Sequence, residues 1–285
     1  MLKIRLLALL FLLPFSCFYA QQDKDFNVYN IRNEEDGSVV VYADNNYLCD
    51  ESVLIEFTVL KNMKADVELP FKGTVPPGVK EFKLLTLTIK DLSKGSQLGY
   101  ITKHGHGAIF EKKHDDDYVY TIPYKDGEKY PLEQGYGGKF SHYMKGKTHA
   151  LDFVMDEGTP VCAARGGVVI DVKDNSSKGG RTIKYQDYAN YIIIYHEDGT
   201  MANYLHLQKN GSKVKVGDKV EAGQVIGLSG NTGWSSGPHL HFQVYTFDEE
   251  LNVKSIPTKF RQKDGKAIIL KKNREGYVSV HKRIN

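Results

Sequence analysis

The sequence predicts an all-β protein built from two consecutive β-domains. Short runs rich in β-branched and aromatic residues recur between clusters of Gly, Asn, Asp and Pro, a pattern typical of strands joined by tight turns. From Tyr118 onward glycines become dense, and this part of the chain lacks a convincing helical segment. This change in amino-acid composition divides the chain into an amino-terminal and a carboxy-terminal part.

Residues 22–125 are predicted to form a small β-sandwich of immunoglobulin-like character. The candidate strands are 38–42, 53–60, 82–90 and 118–122, with a bend at Val75-Pro76-Pro77-Gly78. His104 and His106 have His-x-His spacing, but glycines surround them and no third ligand is evident nearby, so we interpret them as loop residues. The run EKKHDDD at 111–117 is interpreted as a solvated loop, because three successive Asp residues cannot converge on one ion along a strand.

Residues 1–20 have the order of a secretory signal peptide, with a basic start, an apolar core and Ala20 before the expected cut. Ser16-Cys17 leaves a lipid anchor at Cys17 as the alternative. Without the leader, 36 basic residues oppose 35 acidic ones, and a net charge of +1 gives no support to nucleic-acid binding. No other stretch reaches the roughly 18 consecutive apolar residues that a membrane span needs.

Two cysteines remain after the leader, Cys49 and Cys162, which is too few for a disulfide framework. Whether they form a single bridge is left open by the sequence. Cys162, in TPVCAARGGVV, has the surroundings of a small buried side chain rather than of a nucleophile.

Residues 126–250 are predicted to form a compact antiparallel β-domain, and residues 251–285 an extension that packs on it. The stretch VKVGDKVEAGQVIGLSG at 214–230 has the turns of a barrel-sandwich domain, without the modified-lysine motif of a carrier domain. In GPHLHF at 237–242, strand alternation places His239 and His241 on one face and buries Leu240 and Phe242 on the other.

Other candidate metal-binding or catalytic residues are spread through the same part of the chain. Zinc in hydrolases is typically held by three N and O ligands, with a fourth position left for water. The HExxH motif is absent, so a zinc site here must lie on strands and loops. The further candidates are His142, His149, Asp152, His196 and His206, of which His196, beside a Glu-Asp-Gly-Thr turn, is interpreted as structural.

Four stretches together resemble the lysostaphin and LytM-type zinc metallopeptidases, enzymes of bacterial cell-wall cleavage. They are ALDFVMDEGTPVCAARGGVV (150–169), NYIIIYHEDGTMANYLHL (190–207), VKVGDKVEAGQVIGLSGNTG (214–233) and GPHLHF (237–242), in the family's order. The resemblance covers about residues 130–250 and implies a LytM-type peptidase domain with Zn²⁺ as its cofactor. It also implies that Asp152 and His241 bind the metal, and that His206 and His239 are active-site histidines that do not.

At the remaining metal ligand, this sequence departs from the usual pattern of the family, His-x-Gly-x-Asp. His149 is only three residues before Asp152, and an odd separation sends two side chains to opposite faces of a strand unless a bulge intervenes. His142 is joined to the Asp152 strand by the flexible segment MKGKT, and it resembles a branch of the family with Ser-His ahead of Ala-Leu-Asp-Phe. We therefore expect His142 to be the third ligand, with His149 as the alternative.

The resemblance implies an exported zinc metalloendopeptidase that hydrolyses peptide bonds in peptidoglycan cross-links during cell-wall remodelling, in the periplasm or outside the cell. Metal-activated water would attack the peptide bond while His206 and His239 assist, in an order that the sequence leaves open. Two alternatives are an inactive relative that activates a cell-wall amidase and a secreted zinc protease acting on proteins. Trp234 is expected either to wall the substrate groove or to anchor its loop. The role of the amino-terminal domain and the oligomeric state stay open.

Overall fold

A computed structural model describes residues 25–281, and these residues are almost entirely β-structure. Within that range, 23 strands form six sheets, accompanied by one short 3-10 helix at Ile183–Tyr188. No helix in the described part of the chain has the length and apolar composition needed to cross a membrane. The prediction of an all-β chain is confirmed. The predicted signal peptide and the lipid-anchor alternative at Cys17 lie outside the described residues.

The amino-terminal strands form two sheets around a shared core. One sheet has the order β1-β2-β6-β4 and the other the order β5-β3-β7. Burial alternates along β2, as expected for a strand with one face on a core, and Val39 and Val41 pack in one cluster with Val53 and Ile55 of β3. The immunoglobulin-like character of this part remains a prediction. The strands are β1 (Phe26–Arg32), β2 (Val39–Asn45), β3 (Glu51–Lys61), β4 (Met63–Ala65), β5 (Phe71–Val75), β6 (Phe82–Ile89) and β7 (Gln97–His106).

The interpretation of His104 and His106 as loop residues is wrong, because both lie on β7. This strand is antiparallel to β3, with His104 opposite Val53. The glycine between the two histidines reflects close packing rather than a loop, since a Cβ at Gly105 would come within 3.1 Å of the Phe247 ring. Residues 111–117 form turns and irregular structure, as predicted.

One large sheet dominates the carboxy-terminal part. Its order is β16-β12-β14-β15-β19-β10-β9-β23, and β20 pairs with β19 beside this path. The strands are β8 (Val119–Tyr120), β9 (Lys129–Gln134), β10 (Leu151–Val154), β11 (Pro160–Cys162), β12 (Gly167–Lys173), β13 (Gly179–Gly180), β14 (Tyr191–Tyr195), β15 (Met201–Leu205), β16 (Lys219–Val220), β17 (Val225–Leu228), β18 (Gly233–Trp234), β19 (His239–Phe247), β20 (Val253–Ser255), β21 (Lys259–Arg261), β22 (Ala267–Ile268) and β23 (Asn273–Val278).

The tail of the chain contributes strands to these sheets. β20 pairs with β19, β23 pairs with β9, and β21 runs parallel to β8. Tyr120, Ile122 and Leu270 share one buried cluster with Leu240 and Phe242 of β19. The division at residues 125 and 250 remains a prediction. Both Cys49 and Cys162 are free and buried, so no bridge joins them.

Candidate active site

Neighbouring strands bring a row of polar side chains to one face of the large sheet. The register pairs Gln134 of β9 with Asp152 of β10, and Asp152 with His241 of β19. Directly opposed residues on antiparallel strands point to the same face, with Cβ atoms about 4.5–5.5 Å apart. His239 lies two residues before His241 and shares its face, whereas Leu240 between them is fully buried in the core.

A third side chain reaches this row from the loop between β9 and β10. His142 Nε2 lies 3.2 Å from Asp152 Oδ1, and His241 Nδ1 lies 2.9 Å from the same oxygen. One ligand atom from each of these three residues falls within 4.8 Å of the other two. We call His142, Asp152 and His241 the His-Asp-His cluster.

The hydrogen bonds of His142 show that this cluster suits a metal ion. Its Nδ1 lies 3.0 Å from the Gly135 carbonyl oxygen, which only accepts, so Nδ1 carries a proton and donates it. A neutral ring then turns the lone pair of Nε2 toward the Asp152 carboxylate, which is also an acceptor. A cation between them, or a second proton on the ring, satisfies both groups. Two imidazoles and one carboxylate form the donor set that zinc prefers, so these residues fit such an ion.

Asp152 is held by the protein from its other side as well. Gln134 Nε2 donates to Asp152 Oδ2 at 2.7 Å, and Gln134 Oε1 accepts from the backbone N–H of Phe140 at 2.9 Å. Burial alone would raise the pKa of Asp152, but its contacts with the His142 and His241 rings hold this pKa well below its usual range. The carboxylate is therefore ionised and ready to bind a cation near neutral pH.

His206 and His239 lie beside the cluster, and each ring is oriented by a backbone carbonyl. His206 Nδ1 donates to the Thr232 carbonyl oxygen at 2.7 Å, and His239 Nδ1 to that of Gly237 at 2.8 Å. In the neutral form of such a ring the lone pair is on Nε2. The two ring centroids are 4.6 Å apart, and His239 Nε2 lies 3.9 Å from Asp152 Oδ1.

The backbone and the burial of His206 are both unusual. It follows the last residue of β15 with a φ of 65°, in the left-handed region that non-glycine residues rarely adopt. Burial lowers the pKa of His206 well below its ordinary value, and the neighbouring His239 and His241 lower it further. The pKa of His241 is also lowered by burial, although its hydrogen bond to Asp152 opposes the shift. Both rings are thus neutral at neutral pH.

Asp152 and His241 of the cluster line a groove of about 1040 Å³ together with His206 and His239. Phe140 and Trp234 both line it, with ring centroids 5.4 Å apart, and so do Lys271 and Lys272 of the tail. Trp234 Nε1 also donates to the Arg181 carbonyl oxygen at 3.0 Å, so this ring both walls the groove and anchors its loop.

Two of the candidate histidines lie apart from both the cluster and the flanking pair His206 and His239. His149 comes before β10 begins, so strand parity does not govern it; its Nδ1 lies 3.0 Å from the Ser255 carbonyl oxygen and donates to it. His196 is fully buried, and its Nδ1 donates to the Gly166 carbonyl oxygen at 2.8 Å, which fits the structural role expected for it.

The residues that orient the side chains of the site were not predicted from the sequence. Thr232 and Gly237 lie within the stretches 214–233 and 237–242 that carry the family resemblance, so the sequence does point to these two residues. Gln134 and Gly135 belong to no quoted stretch, and no signal in the sequence marks them.

Taken together, two histidines and an aspartate with converging ligand atoms, flanked by two further histidines in a groove, define a site of the metallohydrolase type. Residues 146–253 match the model of Peptidase family M23, so the chain contains a domain of that metallopeptidase family. Asp152, His206, His239 and His241 lie inside the matched range, and His142 lies four residues before it.

Similar proteins include cell-wall endopeptidases. The chain is 38% identical over 136 residues to glycyl-glycine endopeptidase ALE-1 of Staphylococcus capitis, covering 47% of this chain and 34% of that protein. It is 32% identical over 169 residues to peptidoglycan DD-endopeptidase ShyA of Vibrio cholerae, covering 58% of this chain and 36% of that protein. The chain thus spans only about a third of the length of these curated relatives.

Among solved structures, the catalytic domain of lysostaphin from Staphylococcus simulans is 35% identical to the chain. The match covers 46% of this chain and 88% of that domain, with a TM-score of 0.31.

Proposed function

We propose that this protein is an exported zinc metalloendopeptidase that hydrolyses peptide bonds in peptidoglycan cross-links. The observation that carries the proposal is the convergence of His142, Asp152 and His241, whose ligand atoms lie within 4.8 Å of one another. The endopeptidase names of the relatives support the reaction and the substrate class. The presence of both flanking histidines favours a working enzyme over an inactive activator of an amidase.

Zinc is the metal we propose for the His-Asp-His cluster. When bound, zinc supplies a Lewis acid and lowers the pKa of a coordinated water from 15.7 to about 7. Gln134 and the Gly135 carbonyl hold Asp152 and His142 in place, and ligands fixed in this way need no rearrangement to receive the ion.

His206 and His239 are the proposed proton carriers. Because Nδ1 of each ring is committed to a backbone carbonyl, Nε2 is the atom that accepts a proton from the attacking water. The ring that takes this proton then returns it to the departing amine. The other ring would stabilise the oxygen that becomes negative only as an imidazolium with Nε2 also protonated, because its Nδ1–H is already committed. No glutamate of the HExxH kind is needed, because an imidazole can take a proton and pass it on.

The remaining predictions belong to the same proposal. The signal peptide at 1–20 would deliver the protein to the periplasm or the cell exterior, where peptidoglycan lies. The amino-terminal part, proposed as an immunoglobulin-like sandwich, would serve as a spacer, an inhibitor or a docking module for the peptidase domain.

The proposal is tested by zinc content and by release of new amino groups from purified peptidoglycan. We expect the wild type to bind zinc in the His-Asp-His cluster and to cut, and His142→Ala to lose both properties. His149→Ala is the matched control and keeps both, because its ring hydrogen-bonds Ser255 rather than Asp152.

A panel of substrates separates the remaining alternatives. Cleavage of casein but not of peptidoglycan would replace the proposed substrate by proteins. Zinc binding without any cleavage would point to the amidase-activating role instead. Loss of zinc in His149→Ala alone would mean that the wrong histidine has been assigned.

A further inference from the structure

A second group of metal-binding side chains lies where the amino-terminal strands meet the large sheet. It consists of Cys49, Glu51 and His106, whose ligand atoms also fall within 4.8 Å of one another. We call these three residues the junction cluster. Cys49 packs in one buried group with Ile170, Met201 and Tyr245, so the junction cluster touches the large sheet directly.

Strand geometry explains why these side chains converge. Cys49 lies in a bend two residues before β3, which begins at Glu51, and His104 and His106 are two residues apart at the end of β7. The register places His104 opposite Val53 and Gly105 opposite Ser52, so His106 comes next to Glu51, which it contacts. The bend at Cys49 and the first residue of β3 thus meet the His-x-His pair of β7.

The contacts within the group centre on the Glu51 carboxylate. Glu51 Oε1 contacts His106 Nδ1 and lies 3.8 Å from Cys49 Sγ. Glu51 Oε2 lies 2.8 Å from His104 Nδ1, which orients the carboxylate from its other side. The Tyr47 ring stands edge-on against the His106 ring at 4.7 Å.

The buried carboxyl group of Glu51 needs polar or charged partners. The residue is fully buried, and the ion pairs found for it in residues 25–281 are with the two histidines. A buried carboxylate is costly unless a cation pairs with it. Protons on the imidazoles or a metal ion can meet this need, and only a metal ion would be bound by the carboxylate, an imidazole and the Cys49 sulfur together.

We propose that Cys49, Glu51 and His106 bind a second divalent metal ion of the zinc class. Zinc accepts thiolate, imidazole and carboxylate ligands together, and three protein ligands leave one position open. Burial and the nearby Glu51 raise the pKa of the Cys49 thiol, so the thiol is protonated without metal and releases its proton to solvent when the ion binds.

At the junction cluster, this ion would join the amino-terminal strands to each other beside the large sheet. Beside it, Tyr195 Oη donates to Asp50 Oδ2 at 3.2 Å, and Phe247 packs over Gly105. His106 also lines a cavity of about 510 Å³ that reaches His206 and His241. A metal ion here fastens β3 and β7 together at the place where they contact the large sheet, close to the proposed catalytic groove.

Cobalt spectroscopy on the full chain tests the proposal directly. The His-Asp-His cluster contains no sulfur, so sulfur-to-cobalt charge-transfer absorption reports a site that contains a cysteine. The metal-free protein is titrated with Co²⁺, and zinc content is measured separately by mass spectrometry. We expect this absorption in the wild type and two zinc ions per chain. Cys49→Ser loses the absorption and one ion, whereas Cys162→Ser, the matched control at the other buried cysteine, keeps both.

The wild-type spectrum decides the question even if Cys49→Ser fails to fold. Absence of the sulfur-to-cobalt absorption together with a single zinc ion per chain would overturn the proposal and leave protons as the partners of Glu51. Asp152→Asn separates the two sites, because it should retain the absorption while losing the other ion. Retained absorption in Cys49→Ser would likewise overturn the assignment.

Discussion

The two His-x-His pairs of this chain have the same local geometry in two different settings. The HLHF pair on β19 lies beside Asp152, and the HGH pair on β7 lies beside Glu51. The side chain of Asp152 is 14% exposed at the bottom of a groove, whereas that of Glu51 is fully enclosed between strands. Under the two proposals above, one strand pattern serves catalysis in an open groove and holds strands together where it is enclosed.

Removal of the carboxylate from each cluster should have the largest effect. We expect Asp152→Asn to lose the metal ion of the His-Asp-His cluster and all measurable hydrolysis, because a neutral amide is a poor zinc ligand. Glu51→Gln should instead lose the ion of the junction cluster and lower the melting temperature. Metal content per chain and calorimetry distinguish the two, and loss of both ions in either variant would contradict the independence of the clusters.

His239→Ala should separate proton transfer from metal binding. Its ring carries a free Nε2 beside the cluster, so we expect kcat to fall by about 10²–10⁴-fold while zinc stays bound. Steady-state kinetics on peptidoglycan fragments and zinc analysis of the same sample measure both quantities. If zinc were lost together with activity, His239 would have to be counted among the ligands.

Gln134→Ala should weaken the site without dismantling it. Loss of its hydrogen bond frees Asp152 Oδ2, and removal of such an orienting partner typically costs about 10–100-fold in metal affinity or activity. Gln243→Ala is the matched control, because Gln243 donates to the Gly146 carbonyl oxygen and not to a ligand. A competition titration with a zinc chelator gives the affinities, and equal values for both variants would remove the orienting role of Gln134.

His149→Ala should have the smallest effect. It deletes the hydrogen bond to Ser255, so we expect a loss of about 1 kcal/mol in the free energy of unfolding. Urea denaturation of the zinc-loaded protein measures this loss. A change in zinc stoichiometry in this variant would be incompatible with the assignment of His142.

The parts of the site that the sequence could predict depend on short-range geometry. Alternation along HLHF separates its buried and polar faces without knowledge of any other strand. His142 was selected by a parity argument about His149, although His149 turns out to precede the strand. His142 does contact Asp152, but it does so because the loop between β9 and β10 carries it there, and strand parity plays no part.

The parts that the sequence could not predict depend on register between distant segments. Gln134 meets Asp152 because β9 pairs with β10, and nothing in either strand alone specifies that alignment. Glu51 meets His106 across 55 residues of chain, and Gly105 suggested a loop where packing against Phe247 requires a small residue. In both cases, contacts between distant segments decide the structure, and the local sequence does not reveal them.

Two cavities meet at the His-Asp-His cluster, and their linings differ. They share Ser141, His206, Trp234 and His241, but the larger is lined only by residues from 133 onward, whereas the smaller also includes His106 of β7. Under the proposed function, a peptide lying across the cluster has unlike neighbours on the two sides of the bond to be cut, with His106 of the amino-terminal strands on one side only.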